Sequence, residues 1–343
     1  MKSNSNSSVL VTGASGFIGL HTVLKCMQNS YHVRATVRSD VQAEKVKKAL
    51  SNLVDISGLE FVNADLLKDD GWQSAVHGCD FVIHTASPYN PENPKDENVL
   101  IAPALDGTLR VLRAAMKEDV RRLVLLSTIG AIFDGHEGER KEFSEADWSD
   151  VDHPRLIYHK GKTLAEQAAW KLINSDQNTS KMEMVAVNPT NVMGPVLDEH
   201  LHTSTEWYRT LMHAEVPGIS RSQIDLVDVR DLTDILIRAM TTPQASGKRF
   251  ICNSASITLL EFSQILYDHF SDRGYKIPHK LIPSAVIRFL GIFDSKVKAV
   301  ADTIDWEYSL STAQVRSVFG WQPRPYKETI IEMAESLIKY GLV

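Results

Sequence analysis

A glycine motif near the start of the chain constrains its fold more than any other feature. Gly13, Gly16 and Gly19 lie three residues apart, directly after the apolar run 9–11 and at the start of a helical pattern. A strand, a glycine-rich turn and a helix in this order form the context of a dinucleotide-binding loop. The glycines let the backbone approach a pyrophosphate, and the helix N-terminus supplies N–H groups. The motif predicts such a loop, with a purely structural glycine turn as the alternative.

The apolar pattern along the chain predicts a parallel sheet with helices on both faces. Short β-forming runs lie at 9–11, 32–37, 59–62, 80–83, 122–126 and 184–187, and they alternate with helical patterns. This alternation is typical of a doubly wound α/β fold. Beyond Pro195 the pattern becomes mostly helical, at 200–212, 232–240, 258–270 and 327–340, with short strands near 224–229 and 249–251.

Composition excludes several classes of function. The 343 residues carry a formal net charge of −6, which disfavours nucleic acid and anionic membranes as partners. The three cysteines lack metal-ligand spacing and the twelve histidines form no His-Glu-x-x-His motif, so we expect no metal. No apolar run reaches the length of a membrane span, and residues 1–8 lack the apolar core of a secretory signal. We expect a flexible tail at 1–8 and a cytoplasmic location.

The end of the second strand indicates which dinucleotide is bound. Arg38 stands there, about twenty residues after the glycines, where an NAD site carries an acid for the ribose 2′-hydroxyl. Arginine instead suits a 2′-phosphate, so the sequence predicts NADP(H). Ser39 and Lys45 could assist Arg38, Asp40 is the nearest acid, and an ordinary surface arginine is the alternative.

Further candidates follow the ends of later strands, where the ligand of an open α/β sheet lies. Asp65 could accept a hydrogen bond from an adenine amino group, or it could cap the next helix. Small residues at 84–88 would let a cofactor pass close. Ser127 and Thr128 end the fifth strand, and only one of them can point into the site because neighbours on an extended chain face opposite sides.

A tyrosine and a lysine supply the candidate proton donor and its partner. Tyr158 and Lys162 are four residues apart in a helical pattern at 155–173, so their side chains lie one above the other. An ammonium beside a phenol favours the phenolate and makes the phenol a better proton donor. A solvated helix face is the alternative, because this pair alone is common.

Taken together and in this order, the motifs resemble the extended short-chain dehydrogenase/reductases. The matching runs are 11–19, 65–66, 84–88, 126–128, 158–162 and 188–195. Within that family the chain is most similar to the branch of dihydroflavonol-4-reductases, cinnamoyl-CoA reductases and aldehyde or ketone reductases. Arg38 and the turns at 86–88 and 188–189 carry this narrower resemblance. A Rossmann fold is implied.

The resemblance also implies a role for each matching position. Tyr158 would protonate a carbonyl oxygen, Lys162 would bind the nicotinamide ribose, and Thr128, with Ser127 as the fallback, would be the catalytic hydroxyl. Cofactor contacts are implied for Gly13, Ser15, Gly16, Phe17 and Ile18 at the pyrophosphate, for Arg38, Asp65, Leu66, Thr85, Ala86 and Ser87, for Pro189, Thr190 and Val192 at the nicotinamide, and for Ser204 on the far side.

These residues predict the reduction of an aldehyde or ketone to an alcohol by hydride transfer from NADPH. The substrate would be a small-molecule carbonyl compound. The stretch around Tyr158 lacks the Asn-Trp-Tyr-Cys-Tyr-like signature of cinnamoyl-CoA reductases, which disfavours CoA thioesters. A nucleotide-sugar epimerase or dehydratase with tightly bound NAD, and a non-catalytic NADPH sensor, are the alternatives.

The predicted organisation has two parts. Residues 9–191, with returning segments at about 224–251, would form the NADP-binding Rossmann domain. Residues 192–223 and 252–343 would form a smaller, mostly helical substrate-binding part, in a monomer or a homodimer. Pocket walls are expected near 133–134, 153–154 and 192–222, where Trp207, Tyr208 and Met212 either line the pocket or belong to the core.

Overall fold

Strands and helices alternate through the first half of the chain. The computed structural model describes residues 7–87, 94, 96–139, 141–200, 203–293 and 295–343, except the side chains of 203, 204, 206, 295, 296 and 299. The first half comprises β1 (Ser8–Thr12), α1 (Phe17–Gln28), β2 (His32–Val37), α2 (Asp40–Leu50), β3 (Leu59–Asn63), α3 (Trp72–Val76), β4 (Phe81–His84), α4 (Asn98–Lys117), β5 (Arg122–Leu126), β6 (Glu142–Phe143), α5 (Ile157–Ile173) and β7 (Glu183–Pro189).

The second half is richer in helices, as the sequence predicts. It comprises β8 (Asn191–Met193), α6 (Thr203–Met212), β9 (Gln223–Asp228), α7 (Val229–Thr241), β10 (Arg249–Cys252), β11 (Ala255–Thr258), α8 (Leu259–Phe270), α9 (Ser284–Leu290), α10 (Ser295–Ala301), β12 (Ser309–Leu310), α11 (Ala313–Phe319) and α12 (Tyr326–Lys339). None of the helices in the described part of the chain has the length and apolar character needed to cross a bilayer.

Seven strands form the main sheet in the order β10-β7-β5-β4-β1-β2-β3. Every neighbouring pair in it is parallel. The order of connection reverses between β1 and β4, and a sheet of this kind binds its ligand outside the carboxyl ends of the strands at that reversal. The doubly wound α/β fold is confirmed, and the glycine motif lies at the reversal because it directly follows β1.

Strand residues alternate between two helical layers, which explains why the strands read as continuous apolar runs. Val9 and Val11 of β1 pack in the core formed with α1, α2 and α7. Leu10 points the other way, into the core formed with α3, α4 and α5. A parallel sheet covered on both faces needs apolar residues at both alternating positions.

The two strands of the segment 224–251, which the sequence predicts to return to the Rossmann domain, belong to different sheets. Strand β10 pairs with β7 at the sheet edge. Strand β9 instead joins a small sheet, parallel to β8 and antiparallel to β11. The physical reason is that β10 occupies the free edge of β7, so β9 finds its partner in β8. The division into a cofactor part and a substrate part stays a prediction.

The aromatic residues of α6 belong mainly to the core. Tyr208 is fully buried and its hydroxyl donates to Met193 Sδ at 3.5 Å. The ring of Trp207 lies 4.8 Å from the rings of both Tyr208 and Phe262, centroid to centroid. Met212 is also buried. Of the two interpretations left open by the sequence, core packing therefore describes Tyr208 and Met212.

Candidate active site

The glycine loop is built by close backbone approaches that exclude side chains. Gly13 has a φ of +69°, and a Cβ there would lie 2.9 Å from Ala86 Cα. A Cβ on Gly19 would lie only 2.0 Å from Gly13 O. The N–H of Gly13 donates to Thr36 Oγ1 at 3.2 Å, which ties the loop to the end of β2. The first turn of α1 can therefore lie directly against the end of β1.

The N-terminus of α1 is suited to an anion. Gly16 is the N-cap residue, is exposed, and makes no side-chain capping bond; the first turn contains no acidic residue. Ser15 and Ile18 are half-buried beside it. Phe17 is buried, so its side chain belongs to the core. The N–H groups of a first helical turn and the helix dipole favour a phosphate at such a position.

The end of β2 carries an exposed cation and no acid. Arg38 follows the strand directly and its backbone N–H donates to Gln42 Oε1 at 2.8 Å. The nearest acid, Asp40, begins α2 and accepts from Asn63 Nδ2 at 3.2 Å. The carboxylate of Asp40 is thus hydrogen-bonded to the last residue of β3, and Arg38 is exposed at this edge.

Asp65 and Leu66 sit between the end of β3 and helix α4. Asp65 Oδ1 accepts from Leu67 N at 3.0 Å, so the carboxylate caps its own turn. Leu66 packs on α4, where a Cβ on Gly107 would lie 2.9 Å from Leu66 Cβ. The next helix, α3, begins at Trp72, after Gly71 in the left-handed conformation.

The end of β4 is bonded to the end of β1. Thr85 Oγ1 donates to Thr12 O at 2.5 Å, and Ala86 N donates to Thr12 Oγ1 at 3.1 Å. His84 Nδ1 lies 2.8 Å from the same Thr12 hydroxyl. Burial, with a contribution from Lys162, lowers the pKa of His84 to about 3, so this histidine is neutral. Ser87 is half-buried beside these residues, and Pro88 lies outside the described residues.

Helix α5 presents the Tyr-x-x-x-Lys pair at the same edge of the sheet. Lys162 is buried and its Nζ donates to Leu126 O, the last carbonyl of β5, at 2.8 Å. Burial lowers the pKa of Lys162 to about 8, while Glu166 acts to raise it. Tyr158 is half-buried one turn earlier on the helix. The pair therefore lies beside the end of β5, and a solvated helix face does not describe Lys162.

The two hydroxyls after β5 face different surroundings. Ser127 is buried and donates to Glu166 Oε2 at 2.5 Å. Thr128 is half-buried, and its Oγ1 accepts from Gly130 N at 3.2 Å. Because the proton of Ser127 is committed to a carboxylate, only the hydroxyl of Thr128 has its own proton left to donate.

A buried carboxylate behind the site joins four elements, and the sequence analysis did not select it. Glu166 accepts from Ser127, from Asn188 Nδ2 at 2.9 Å, from Trp170 Nε1 at 3.2 Å and from Arg249 Nε at 2.7 Å. The sequence could have pointed to Glu166, because it follows Lys162 by four residues and the two side chains therefore lie on one face of the helix. Nothing in the sequence pointed to Arg249, whose partner is 83 residues away.

The loop after β7 is largely buried. Pro189, Thr190 and Val192 all have little exposure. Thr190 Oγ1 lies 3.2 Å from Asn253 Oδ1 and 3.3 Å from Cys252 O, so its hydroxyl is already bonded to the segment that ends β10. The side chain of Ser204 lies outside the described residues. Within those residues, no group of three or more His, Cys, Asp or Glu is arranged to hold a metal.

Together, this fold and site define a class: an α/β protein with a dinucleotide loop and a Tyr-x-x-x-Lys helix at one sheet edge. The chain belongs to the NAD dependent epimerase/dehydratase family, whose model matches residues 9–253. This confirms the resemblance to the extended short-chain dehydrogenase/reductases.

Individual relatives lie in the predicted branch. The dihydroflavonol 4-reductase of Hordeum vulgare is 33% identical over 280 residues, covering 79% of this chain and 77% of that protein. The cinnamoyl-CoA reductase 1 of Petunia hybrida is 33% identical over 349 residues, covering 99% and 95%. The crystal structure of yeast methylglyoxal/isovaleraldehyde reductase Gre2 complexed with NADPH has a TM-score of 0.81 at 27% identity, covering 97% of this chain and 99% of that one.

Proposed function

We propose that this protein reduces an aldehyde or ketone to the alcohol with NADPH. The observation that carries the proposal is the hydrogen bond from Lys162 Nζ to Leu126 O at 2.8 Å. It holds the helix of Tyr158 against the end of β5, two residues before Thr128. A phenol, an ammonium and a hydroxyl are thereby gathered beside the glycine loop. Reductases among the relatives support the same class of reaction.

The cofactor is NADP(H), and the residues present suit it. The N-terminus of α1 is a site for the pyrophosphate, since its N-cap residue, Gly16, makes no side-chain capping bond. Exposed Arg38 is a site for the 2′-phosphate, and the nearest acid, Asp40, accepts a hydrogen bond from Asn63. The yeast relative bound to NADPH supports this assignment. When bound, NADPH supplies the hydride.

Tyr158 and Thr128 act on the carbonyl oxygen of the substrate. Thr128 Oγ1 accepts from Gly130 N, so its own proton is directed to another acceptor, which we assign as the substrate oxygen. Tyr158 gives its phenolic proton to that oxygen as negative charge develops there. Two donors aimed at one oxygen both position the substrate and stabilise the transition state.

Lys162 keeps the phenol ready to lose its proton. Its Nζ uses one proton on Leu126 O, which leaves two for the cofactor ribose and the neighbourhood of Tyr158. Burial lowers the pKa of this lysine to about 8. That value is still above neutral pH, so the ammonium is the main form there. The substrate is a small carbonyl compound, enclosed by segments from 192–223 and 252–343.

The test is the substitution Tyr158→Phe. We expect kcat to fall by about 10²- to 10⁴-fold, because a positioned proton donor contributes that much, while the Kd for NADPH stays within about twofold. The measurement follows NADPH oxidation with a panel of aldehydes, α-diketones, β-keto esters and dihydroflavonols, with NADH in parallel.

Tyr326→Phe is the matched control. This tyrosine lies on α12 and donates to Glu261 on α8 at 2.7 Å, so its loss should leave turnover unchanged. Wild-type turnover in Tyr158→Phe would contradict the proton-donor role. A preference for NADH would contradict the role of Arg38. Tight cofactor binding without oxidation by any carbonyl would favour the epimerase or sensor alternatives.

A further inference from the structure

Asp134 ties the turn that bears Thr128 to the start of the helix that bears Tyr158. Asp134 has only 1% of its side chain exposed and follows the short 3₁₀ turn Ile129–Ala131. Its Oδ2 accepts from the N–H of Arg155 at 3.1 Å and from the N–H of Leu156 at 3.4 Å. Leu156 is the N-cap residue of α5 and makes no side-chain capping bond of its own. A carboxylate that is remote in sequence thus holds the two residues that lead into this helix.

The other oxygen of Asp134 holds the residue directly after the tyrosine. His159 Nδ1 lies 2.9 Å from Asp134 Oδ1, and 13% of the histidine side chain is exposed. The imidazole lies against Gly130, where a Cβ would be only 2.3 Å from His159 Cδ2. Gly130 is the same residue whose N–H donates to Thr128 Oγ1. A second connection between the two hydroxyl-bearing segments therefore runs through the imidazole.

We propose that Asp134 and His159 are positioning residues that set the separation of the Thr128 and Tyr158 hydroxyls for carbonyl reduction. This inference rests on the proposed function, because it assigns those hydroxyls to one substrate oxygen. We call Asp134 and His159 the clamp.

The electrostatics support an ionised Asp134. Burial alone acts to raise the pKa of its carboxyl, but the hydrogen bond and charge of His159, the charge of Arg155 and the N–H of Leu156 together hold the pKa below its usual range. Arg155 Nε lies 3.5 Å from Oδ1. A carboxylate at a helix N-terminus is also favoured by the helix dipole. The clamp thus contains a buried negative charge that is bonded to the start of α5 and to His159.

The consequence for catalysis follows from how strictly proton transfer depends on geometry. A displacement of about 1 Å in a positioned group can cost about 100-fold in rate. Without the clamp, the two residues that lead into α5 lose their bonds to Asp134, and the imidazole of His159 no longer holds the first turn of α5 against Gly130. Lys162 lies one turn further on, held by Leu126 O, so the cofactor side of the site would keep its geometry.

The test compares His159→Leu and Asp134→Ala with His159→Asn. Asparagine carries an amide nitrogen close to the position of Nδ1 and can still donate to Asp134. The matched control is His77→Leu. His77 Nδ1 lies 2.6 Å from Glu118 Oε2, a similar histidine–carboxylate pair near the amino-terminal edge of the sheet. Each variant is assayed for kcat, for NADPH affinity, for melting temperature and for the isotope effect of NADPH deuterated at the transferred hydrogen.

We expect kcat to fall about 10- to 100-fold in His159→Leu and Asp134→Ala, with the Kd for NADPH within about twofold of wild type. The isotope effect should rise, because hydride transfer becomes slower relative to product release. His159→Asn should recover most of the lost kcat, and His77→Leu should match wild type. A merely structural role would lower the melting temperature and the amount of active protein without changing the isotope effect.

Three results would overturn the clamp: wild-type kcat in His159→Leu, a parallel loss of NADPH affinity and kcat, or no recovery in His159→Asn. If Asp134→Ala fails to fold, the two variants at His159 decide the question, because that side chain is partly exposed. Failure of the proposed function looks different. In that case the wild-type protein would fail to oxidise NADPH whichever carbonyl compound is added. Failure of the clamp alone would leave the wild type active and Tyr158→Phe inactive.

Discussion

Lys162 is a buried ammonium whose surroundings both oppose and retain its charge. Removal from water favours the neutral amine, and the carboxylate of Glu166 one turn away favours the ammonium. The balance places the pKa at about 8, below the ordinary value of 10.5. Keeping this charge buried therefore lowers the stability of the protein without cofactor. Its proposed roles are to bind the ribose and to assist Tyr158.

This cost predicts a pH-dependent effect of Lys162→Met on stability. Below about pH 8 both the folded and unfolded states bind the proton, so the full cost of the buried charge is present. As the pH rises from about 8 towards 10.5, the folded protein has lost the proton that the unfolded chain still binds, and the cost disappears. We expect Lys162→Met to be more stable than wild type at neutral pH, by up to about 3 kcal/mol.

The measurement is urea unfolding of both proteins without cofactor, from about pH 7 to 10. The difference in the free energy of unfolding between the two proteins should decrease steadily above about pH 8. A gap that stays constant across this range would mean that Lys162 is not the buried ammonium described here. Lys48→Met is the control, because its ammonium is largely exposed in an ion pair with Glu199 and should show no such narrowing.

At the scale of the element, α1 shows how tertiary contacts override helix propensity. Gly19 lies within the helix, where alanine is ordinarily about 1 kcal/mol more favourable than glycine. Here the added Cβ would meet the backbone oxygen of Gly13 at 2.0 Å. The glycine is required because the first turn of the helix touches the strand-end turn that precedes it.

We therefore expect Gly19→Ala to destabilise the protein, in opposition to propensity, by about 1 to 3 kcal/mol, and to weaken NADPH binding because the loop must move. Gly16→Ala is the matched control for stability. A Cβ there meets Gly13 O at an ordinary 3.4 Å, so the melting temperature of the apo protein should change little. Thermal unfolding and NADPH titration of both variants check this. An apo protein stabilised by Gly19→Ala would contradict the close approach.

Across the whole molecule, the pair Glu166–Arg249 fixes the returning strand to the catalytic helix. Both side chains are almost fully buried. Arg249 also donates to the carbonyls of Glu145, Asp147 and Ala131, and its guanidinium stacks 3.7 Å from the ring centroid of Trp148. The segment after β5, helix α5, strand β7 and strand β10 thus meet at one ion pair.

Glu166→Gln should destabilise the folded protein by about 3 to 5 kcal/mol, because it leaves a buried guanidinium without its counter-charge. The control is Glu60→Gln. Glu60 pairs with Arg34 but is 68% exposed, so its loss should cost no more than about 1 kcal/mol. Chemical denaturation of both variants gives the comparison. Equal effects of the two substitutions would show that the buried network contributes no more than a surface pair.

The sequence alone determined the alternation of strands and helices, the glycine loop and the positions of Tyr158 and Lys162. These follow from local rules, since apolar period, glycine spacing and an interval of four residues all act within a few turns of chain. These local rules did not determine the sheet to which β9 belongs. Strand pairing depends on which sheet edges are already paired with other strands.

Only the tertiary structure decided which polar groups face one another. The hydroxyl of Ser127 donates to Glu166, which lies 39 residues away along the chain, and this bond is what favours Thr128 in the proposed role. The bonds from Arg155 and Leu156 to Asp134, and the bond from Arg249 to Glu166, also join segments that are remote in sequence. The physical reason is that a buried polar group needs a hydrogen-bond partner within about 3 Å, wherever in the chain that partner comes from. Separation along the sequence does not show which groups the fold brings that close.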